Sequence, residues 1–263
     1  METKRDKDKT SVALFDSGIG GLNLLKECSK ALPDADFYYL ADNYNVPYGS
    51  KSREEIARLV KEKLDLLSGV KLSAAVIACN TATANCIDEL RAEYAFPIIG
   101  IQPALKPAAQ YGGKCLVLAT RATVDSRSFK QLLASAESNG NARFTVHPCE
   151  GLAEYVENNL FNVDEGLLRG MLPKAEVDSV VLGCTHYAFI KDVVKAIYNC
   201  EIFDGIAGTT AQLLKIIGMS AHICAQSGTD DHKALKKPNI TFLGGDFSKN
   251  AQIFACMTAH NSI

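Results

Sequence analysis

The sequence predicts an α/β protein made of two related halves, each a parallel sheet with helices on both faces. Three observations predict it. Short apolar runs alternate with longer stretches of helical periodicity, which implies crossover-connected parallel strands buried on both sides. Val76-Ile77-Ala78-Cys79-Asn80-Thr81 is echoed by Val181-Leu182-Gly183-Cys184-Thr185-His186. The polar residue ending each half's first strand stands at a matching distance from these cysteines: 79 − 16 = 63 from Asp16 and 184 − 120 = 64 from Thr120.

In chain order, residues 12–15, 37–41, 74–78, 98–101, 116–118 and 179–182 read as buried strands. A helical pattern over 22–28 follows the glycine-rich turn after the first strand. Another covers 53–67, where Ile56, Leu59, Val60, Leu64 and Leu67 recur near helical spacing. No Gly/Ser-rich linker divides the halves. Ile101-Gln102-Pro103-Ala104 is the best crossover and Phe203-Asp204-Gly205 the best return, with a late strand at 240–243 rejoining the first half. The expected domains are therefore 12–103 plus 208–263, and 104–207. Residues 1–11 form a polar leader, and 227–237 a polar surface loop.

Composition narrows the function classes. Hydrophobic residues are 47% and charged residues 22% of 263, which excludes a disordered chain. Apolar runs fall far short of the roughly 20 residues of a membrane span. Net charge is −2, with 28 basic and 30 acidic residues and no basic block, so neither nucleic acid nor a membrane is an expected partner. The first ten residues lack the apolar stretch of a secretory signal. Nine cysteines, an odd number without a CxxC pair, fit free thiols in a reducing cytoplasm.

Active sites in parallel sheets lie beyond the carboxyl ends of strands. Asp16-Ser17-Gly18-Ile19-Gly20-Gly21 stands at such a position and offers backbone N–H groups and a helix start to an anion. It lacks the Gly-Lys-Ser/Thr of a phosphate loop, and Asn23 replaces the third glycine of a dinucleotide fingerprint. Cys79 and Cys184 occupy equivalent strand ends beside hydroxyl, amide and imidazole groups. A thiol's pKa near 8.5, lowered by its surroundings, suits proton transfer at neutral pH. Two thiols facing one another across a cleft would remove a proton from one face of a carbon and deliver one to the other. Rival uses are a Cys184–His186 nucleophilic pair, a redox pair, and a zinc site of Cys79, Cys184, His186 and His147. The other seven cysteines read as small buried hydrophobes.

Four motifs together resemble glutamate racemase, of the cofactor-independent aspartate/glutamate racemase superfamily. They are Phe15-Asp16-Ser17-Gly18-Ile19-Gly20-Gly21-Leu22, Val46-Pro47-Tyr48-Gly49, Ile77-Ala78-Cys79-Asn80-Thr81-Ala82-Thr83-Ala84 and Leu182-Gly183-Cys184-Thr185-His186-Tyr187, in the family's order. The resemblance implies two flavodoxin-like three-layer domains related by pseudo-twofold symmetry, with the active site in the cleft between them. It implies interconversion of L- and D-glutamate without cofactor or metal, for peptidoglycan, by a cytoplasmic homodimer. Cys79 and Cys184 would be the two acid/base residues, supported by Asp16 and His186 respectively. Asp16, Ser17, Tyr48, Gly49, Asn80, Thr81, Thr120, Thr123, Thr185 and His186 would hold the substrate. Glu157 matches a glutamate that the family places near the second cysteine.

The chain departs from the family pattern at three places. Ala41-Asp42-Asn43-Tyr44-Asn45 replaces a Gly-Asp-x-Ala-Arg stretch, Ala119 a glycine, and Cys149-Glu150-Gly151-Leu152 a Cys-Pro-hydrophobic run. These changes bear on substrate fit more than on reaction type. An aspartate or related racemase and a non-catalytic sensor of acidic ligands are the alternatives; a sensor would not need both thiols.

Overall fold

The structure, a computed structural model, describes residues 9–218 and 238–259. Residues 1–8 of the expected leader and the expected loop at 227–237 lie outside them. Among the described residues, strands form two sheets in which every paired neighbour is parallel. The first contains β1 (Ser11–Asp16), β2 (Asp36–Ala41), β3 (Ala74–Ile77), β4 (Ile98–Gly100) and β9 (Asn239–Leu243), ordered β4-β3-β1-β2-β9. The second contains β5 (Gly113–Ala119), β6 (Ala142–Pro148), β7 (Ser179–Gly183) and β8 (Glu201–Asp204), ordered β6-β5-β7-β8. Matching β1 to β5, β2 to β6, β3 to β7 and β4 to β8 reproduces the strand order, with β9 added at one edge. Each half has the 2-1-3-4 winding of a flavodoxin-like sheet.

Alternation along the strands makes each half three layers deep, because successive side chains face opposite sides. Val12 and Leu14 join α1 (Leu22–Ala31), α10 (Ile206–Ile216) and α11 (Phe247–Ala259) in one core. Ala13 and Phe15 face α2 (Arg53–Leu64) and α3 (Asn80–Glu93). In the second sheet, Leu116, Leu118, Val180 and Leu182 pack on α7 (Leu152–Asn159), α8 (Glu165–Met171) and α9 (Lys191–Tyr198). Cys115, Val117 and Val181 pack on α4 (Leu105–Tyr111) and α6 (Arg127–Ser138). The helix read over 53–67 begins at an N-cap: Ser52 Oγ accepts from Glu55 N–H, with acidic residues in the first turn and lysines in the last. Its α-helical part ends at Leu64, and Asp65–Leu67 is a 3₁₀ turn.

Two strands, β6 and β8, were not among those expected. Both are edges of the second sheet. Most β6 side chains are only half-buried or exposed, and β8 has four residues of which only Ile202 is buried. Neither therefore carries the continuous apolar run of a central strand. The expected return at 203–205 is the end of β8 and the residue after it, while the crossover at 101–104 is irregular chain between β4 and α4.

Leu14 is fully buried on the central strand of the first sheet. Leu14→Ala is expected to destabilise the protein by about 2–5 kcal/mol, read from the shift in urea unfolding midpoint.

Candidate active site

The strands of both sheets end toward one another, and the side chains just beyond those ends interlock. On the β1–β3 ladder Phe15 lies opposite Ile77, and one further level on the next-but-one residue, Ser17, faces Cys79. On the β5–β7 ladder Ala119 lies opposite Gly183, so Thr120 levels with Cys184. By register the counterpart of Thr120 is thus Ser17, one residue beyond the expected Asp16. Ser17 Oγ and Cys79 Sγ are 3.4 Å apart. Cys79 is the N-cap residue of α3, and Cys184 precedes a 3₁₀ segment, Thr185–Ile190.

Around the second cysteine the halves share a buried ionisable cluster. Thr185 Oγ1 donates to Asp16 Oδ2 across the cleft, 3.0 Å. His186 Nε2 lies 2.6 Å from Glu157 Oε2, and His186 Nδ1 lies 3.9 Å from Cys184 Sγ. The turn after β1, expected to receive an anion, receives one from its own chain: Ile19 N–H donates to Glu157 Oε2, 2.9 Å. Gly18 N–H donates to Asp16 Oδ1. Gly20 permits this approach, since a Cβ there would overlap Thr185 Oγ1 and lie 2.8 Å from the His186 nitrogens. A second cluster joins Thr81, Thr120 and Thr123: Thr120 Oγ1 lies 2.9 Å from both other hydroxyls. Thr120 also accepts from Thr123 N–H to cap α5 (Arg121–Asp125), and Gly49 lies against it.

The remaining expected residues have distinct surroundings. Tyr48 is buried and its hydroxyl donates to Asp42 Oδ2. Asn80 is buried, and its Nδ2 has no hydrogen-bond partner among the described residues. Cys79 and Cys184 retain 4% and 7% exposure. Among the described residues, no three His, Cys, Asp or Glu side chains are grouped as metal ligands. No described helix is long and apolar enough to cross a membrane.

Burial sets the proton affinities. It pushes the Asp16 carboxyl up to about 6, against the opposing charge of His186 and donation from Gly18 and Thr185. It acts to lower His186, yet hydrogen bonding with Cys184 and Glu157 outweighs it and the imidazole is held well above its ordinary value. Burial would raise Glu157, but the bond to His186 and the donors Ile19 and Asn43 hold it below the usual carboxylate value. The pair is accordingly imidazolium and carboxylate. At Cys79 burial, reinforced by Asp16, pushes the thiol up to about 12. The expected lowering is not met there, because desolvation outweighs the Ser17 hydroxyl and the backbone donor at the helix start.

Sequence inspection missed Tyr39, Asn43 and Asn250. Tyr39, a fully buried strand residue, donates from its hydroxyl to Gly18 O. Asn43 Nδ2 donates to Glu157 Oε1, 2.7 Å. The only available signal was Asn43's place in a stretch that departs from the family pattern.

The sequence profile described as Asp/Glu/Hydantoin racemase matches residues 22–213. The chain belongs to that family. It is accordingly a racemase, an isomerase. Its relatives include a glutamate racemase of Clostridium novyi (strain NT), 43% identical over 218 residues, spanning 79% of this chain and 83% of that one. A Clostridium botulinum (strain Kyoto / Type A2) glutamate racemase is 39% identical over 211 residues, 77% of this racemase and 81% of the relative. Among solved structures, Escherichia coli glutamate racemase, in complex with L-glutamate and the activator UDP-MurNAc-ala, aligns with TM-score 0.77 at 27% identity over 94% of this chain and 96% of that one. A Bacillus anthracis glutamate racemase aligns with TM-score 0.75 at 27% identity, over 95% and 94%. The two-domain flavodoxin-like fold is common to them.

Because Asp16 is held above its unfolded value of 3.8, the stability it contributes is full below about pH 4 and is lost as pH rises through about 6. Asp16→Asn is expected to stabilise the racemase at pH 7 by on the order of 1–3 kcal/mol. Denaturation at pH 7 and pH 4 checks this, the gain shrinking at the lower pH.

Proposed function

We propose that the chain is a glutamate racemase that inverts Cα by two-base proton transfer between Cys79 and Cys184. The observation that carries this reading is the placement of the two cysteines. They stand at equivalent strand ends of matching sheets, and the residues beside them meet: Ser17 lies 3.4 Å from Cys79, and Thr185, next to Cys184, donates to Asp16, next to Ser17. The glutamate-racemase relatives, at up to 43% identity, support glutamate as the substrate. Supply of D-glutamate for peptidoglycan follows from that reading, as do domains of 12–103 plus 208–263 and 104–207. A limit at 207/208 cuts α10, whose partner is α1, so the first domain is better begun again at 205.

In this mechanism each enantiomer loses its α-proton to one thiolate and gains one from the opposite thiol. Cys79 rests as the thiol, the proton-donating form, since burial and Asp16 disfavour its anion. Its service as a base requires a positive charge beside it. The substrate ammonium, accepted by Asp16, supplies that charge, cancelling the carboxylate that holds the Cys79 proton. On the other side imidazolium His186, paired with Glu157, stands with Nδ1 3.9 Å from Cys184 Sγ, within reach of the sulfur that exchanges the proton. Carboxylates on the substrate are met by Ser17, the Thr81–Thr120–Thr123 hydroxyls and Thr185, with Tyr48 and Gly49 shaping the wall. Asn80 Nδ2, without a hydrogen-bond partner among the described residues, adds a donor to this set. Donors fixed in advance stabilise the charge that develops at the deprotonated α-carbon.

Incubation with L-glutamate in D₂O is expected to yield D-glutamate carrying deuterium at Cα, followed by NMR and chiral chromatography. No inversion and no exchange by folded protein overturns the reading. Cys79→Ser and Cys184→Ser should each lower racemisation by about 10²–10⁴-fold, measured by loss of optical rotation, with aspartate run in parallel to rank the two substrates.

A further inference from the structure

Glu157 is gripped from a direction the racemase mechanism does not use. Asn43 Nδ2 donates to Glu157 Oε1, and the amide's orientation is fixed by two donors on its oxygen: Asn250 Nδ2 at 2.9 Å and Asp246 N–H at 3.2 Å. Both donors belong to the C-terminal segment, Asp246 just before α11 and Asn250 within it, and Asn250 is 1% exposed. Lys249 of the same helix donates to the Glu157 backbone carbonyl, 3.2 Å. A line of contacts therefore runs from α11 through Asn43, Glu157 and His186 to Cys184 Sγ.

We propose that Asn43, oriented by the C-terminal helix, is a positioning residue for the acid/base group at Cys184, acting through Glu157 and His186. The proposal rests on the racemase reading above and adds the C-terminal helix to the machinery. Its physical content is a directional donor. With His186 and Ile19 on Oε2 and Asn43 on Oε1, both carboxylate oxygens are engaged, so Glu157 has one orientation and His186 one ring position. Without Asn43, Oε1 keeps only Lys249 among the described residues, at 3.9 Å, and the carboxylate is free to turn. The charged and titratable groups acting on this cluster are His186, Cys184, Lys249, Asp16 and Tyr39. Asp16 and Tyr39 are held by partners independent of Asn43, whereas His186 and Lys249 meet Glu157 itself.

The test measures racemisation from pH 5 to 10 for wild type, Asn43→Ala and Asn250→Ala. Asn43→Ala is expected to lower kcat/KM by about 10- to 100-fold, the scale of a misplaced reacting group, mostly in kcat with KM changing about twofold or less. Because the lost donor favoured the Glu157 carboxylate, the acid limb of the profile moves to higher pH; a general loosening of the fold would lower the whole profile without moving that limb. Asn250→Ala should shift the limb in the same direction by less, since Asp246 N–H still holds Asn43. Should Asn43→Ala fail to fold, Asn43→Asp keeps the acceptor for both donors while setting a carboxylate against Glu157, and should give the larger shift. Imidazole ¹⁵N spectra give a readout besides activity: with five histidines in the chain, the His186 resonances are assignable and should move. Wild-type limbs and rates in a folded Asn43 variant overturn the inference while leaving the racemase reading standing. Failure of wild-type protein to racemise glutamate removes both.

Discussion

Glu157 belongs to one half of the molecule, yet its side chain is bound by the other. It accepts the Ile19 N–H offered by the turn after β1 and the Asn43 amide beyond β2, and it holds His186 beside Cys184. A carboxylate this deeply buried is tolerable only with charge and donors around it. Every group that satisfies it has in turn to be placed by a strand end or a helix start. Asp16, on the opposing sheet, is fixed in the same way by Gly18 N–H and Thr185. The relative setting of the two sheets is thus tied to the neutralisation of three ionisable side chains, and the cysteines inherit their positions from it.

The central strands were legible because burial on both faces leaves an unbroken apolar run, as in β1, β3 and β7. The edges β6 and β8 were not, because an edge strand with one open side needs no such run. The repeat around Cys79 and Cys184 correctly placed two strand ends, since local pattern carries strand position. It misaligned the partner level by one residue, since register is a property of the ladder and not of spacing along the chain.

Site residues divide along the same line. Cys79, Cys184, Asp16 and His186 follow directly on apolar strands and could be found from that alone. Asn43 and Asn250 are 207 residues apart and meet only because β9 adds to β2 and brings α11 over the cleft. Proton affinity is less legible still. Cys79 sits at a helix start, which favours a thiolate, but the depth of its burial, invisible in sequence, decides the opposite sign.

The close contact at Gly20 has a bearing on motion. Around Gly20 the contacts between the sheets' ends are hydroxyl, carboxylate, imidazole and backbone amide, while nearby Leu160 and Phe189 of the second half pack on the core of the first. Parting such polar contacts exchanges protein hydrogen bonds for hydration, at a net loss of about 0.5–3 kcal/mol each, whereas prying apart interlocked aliphatic side chains sacrifices about 25 cal/mol for every Å² wetted. Water and a polar solute therefore enter the polar part of the boundary at lower cost than the apolar layers behind it.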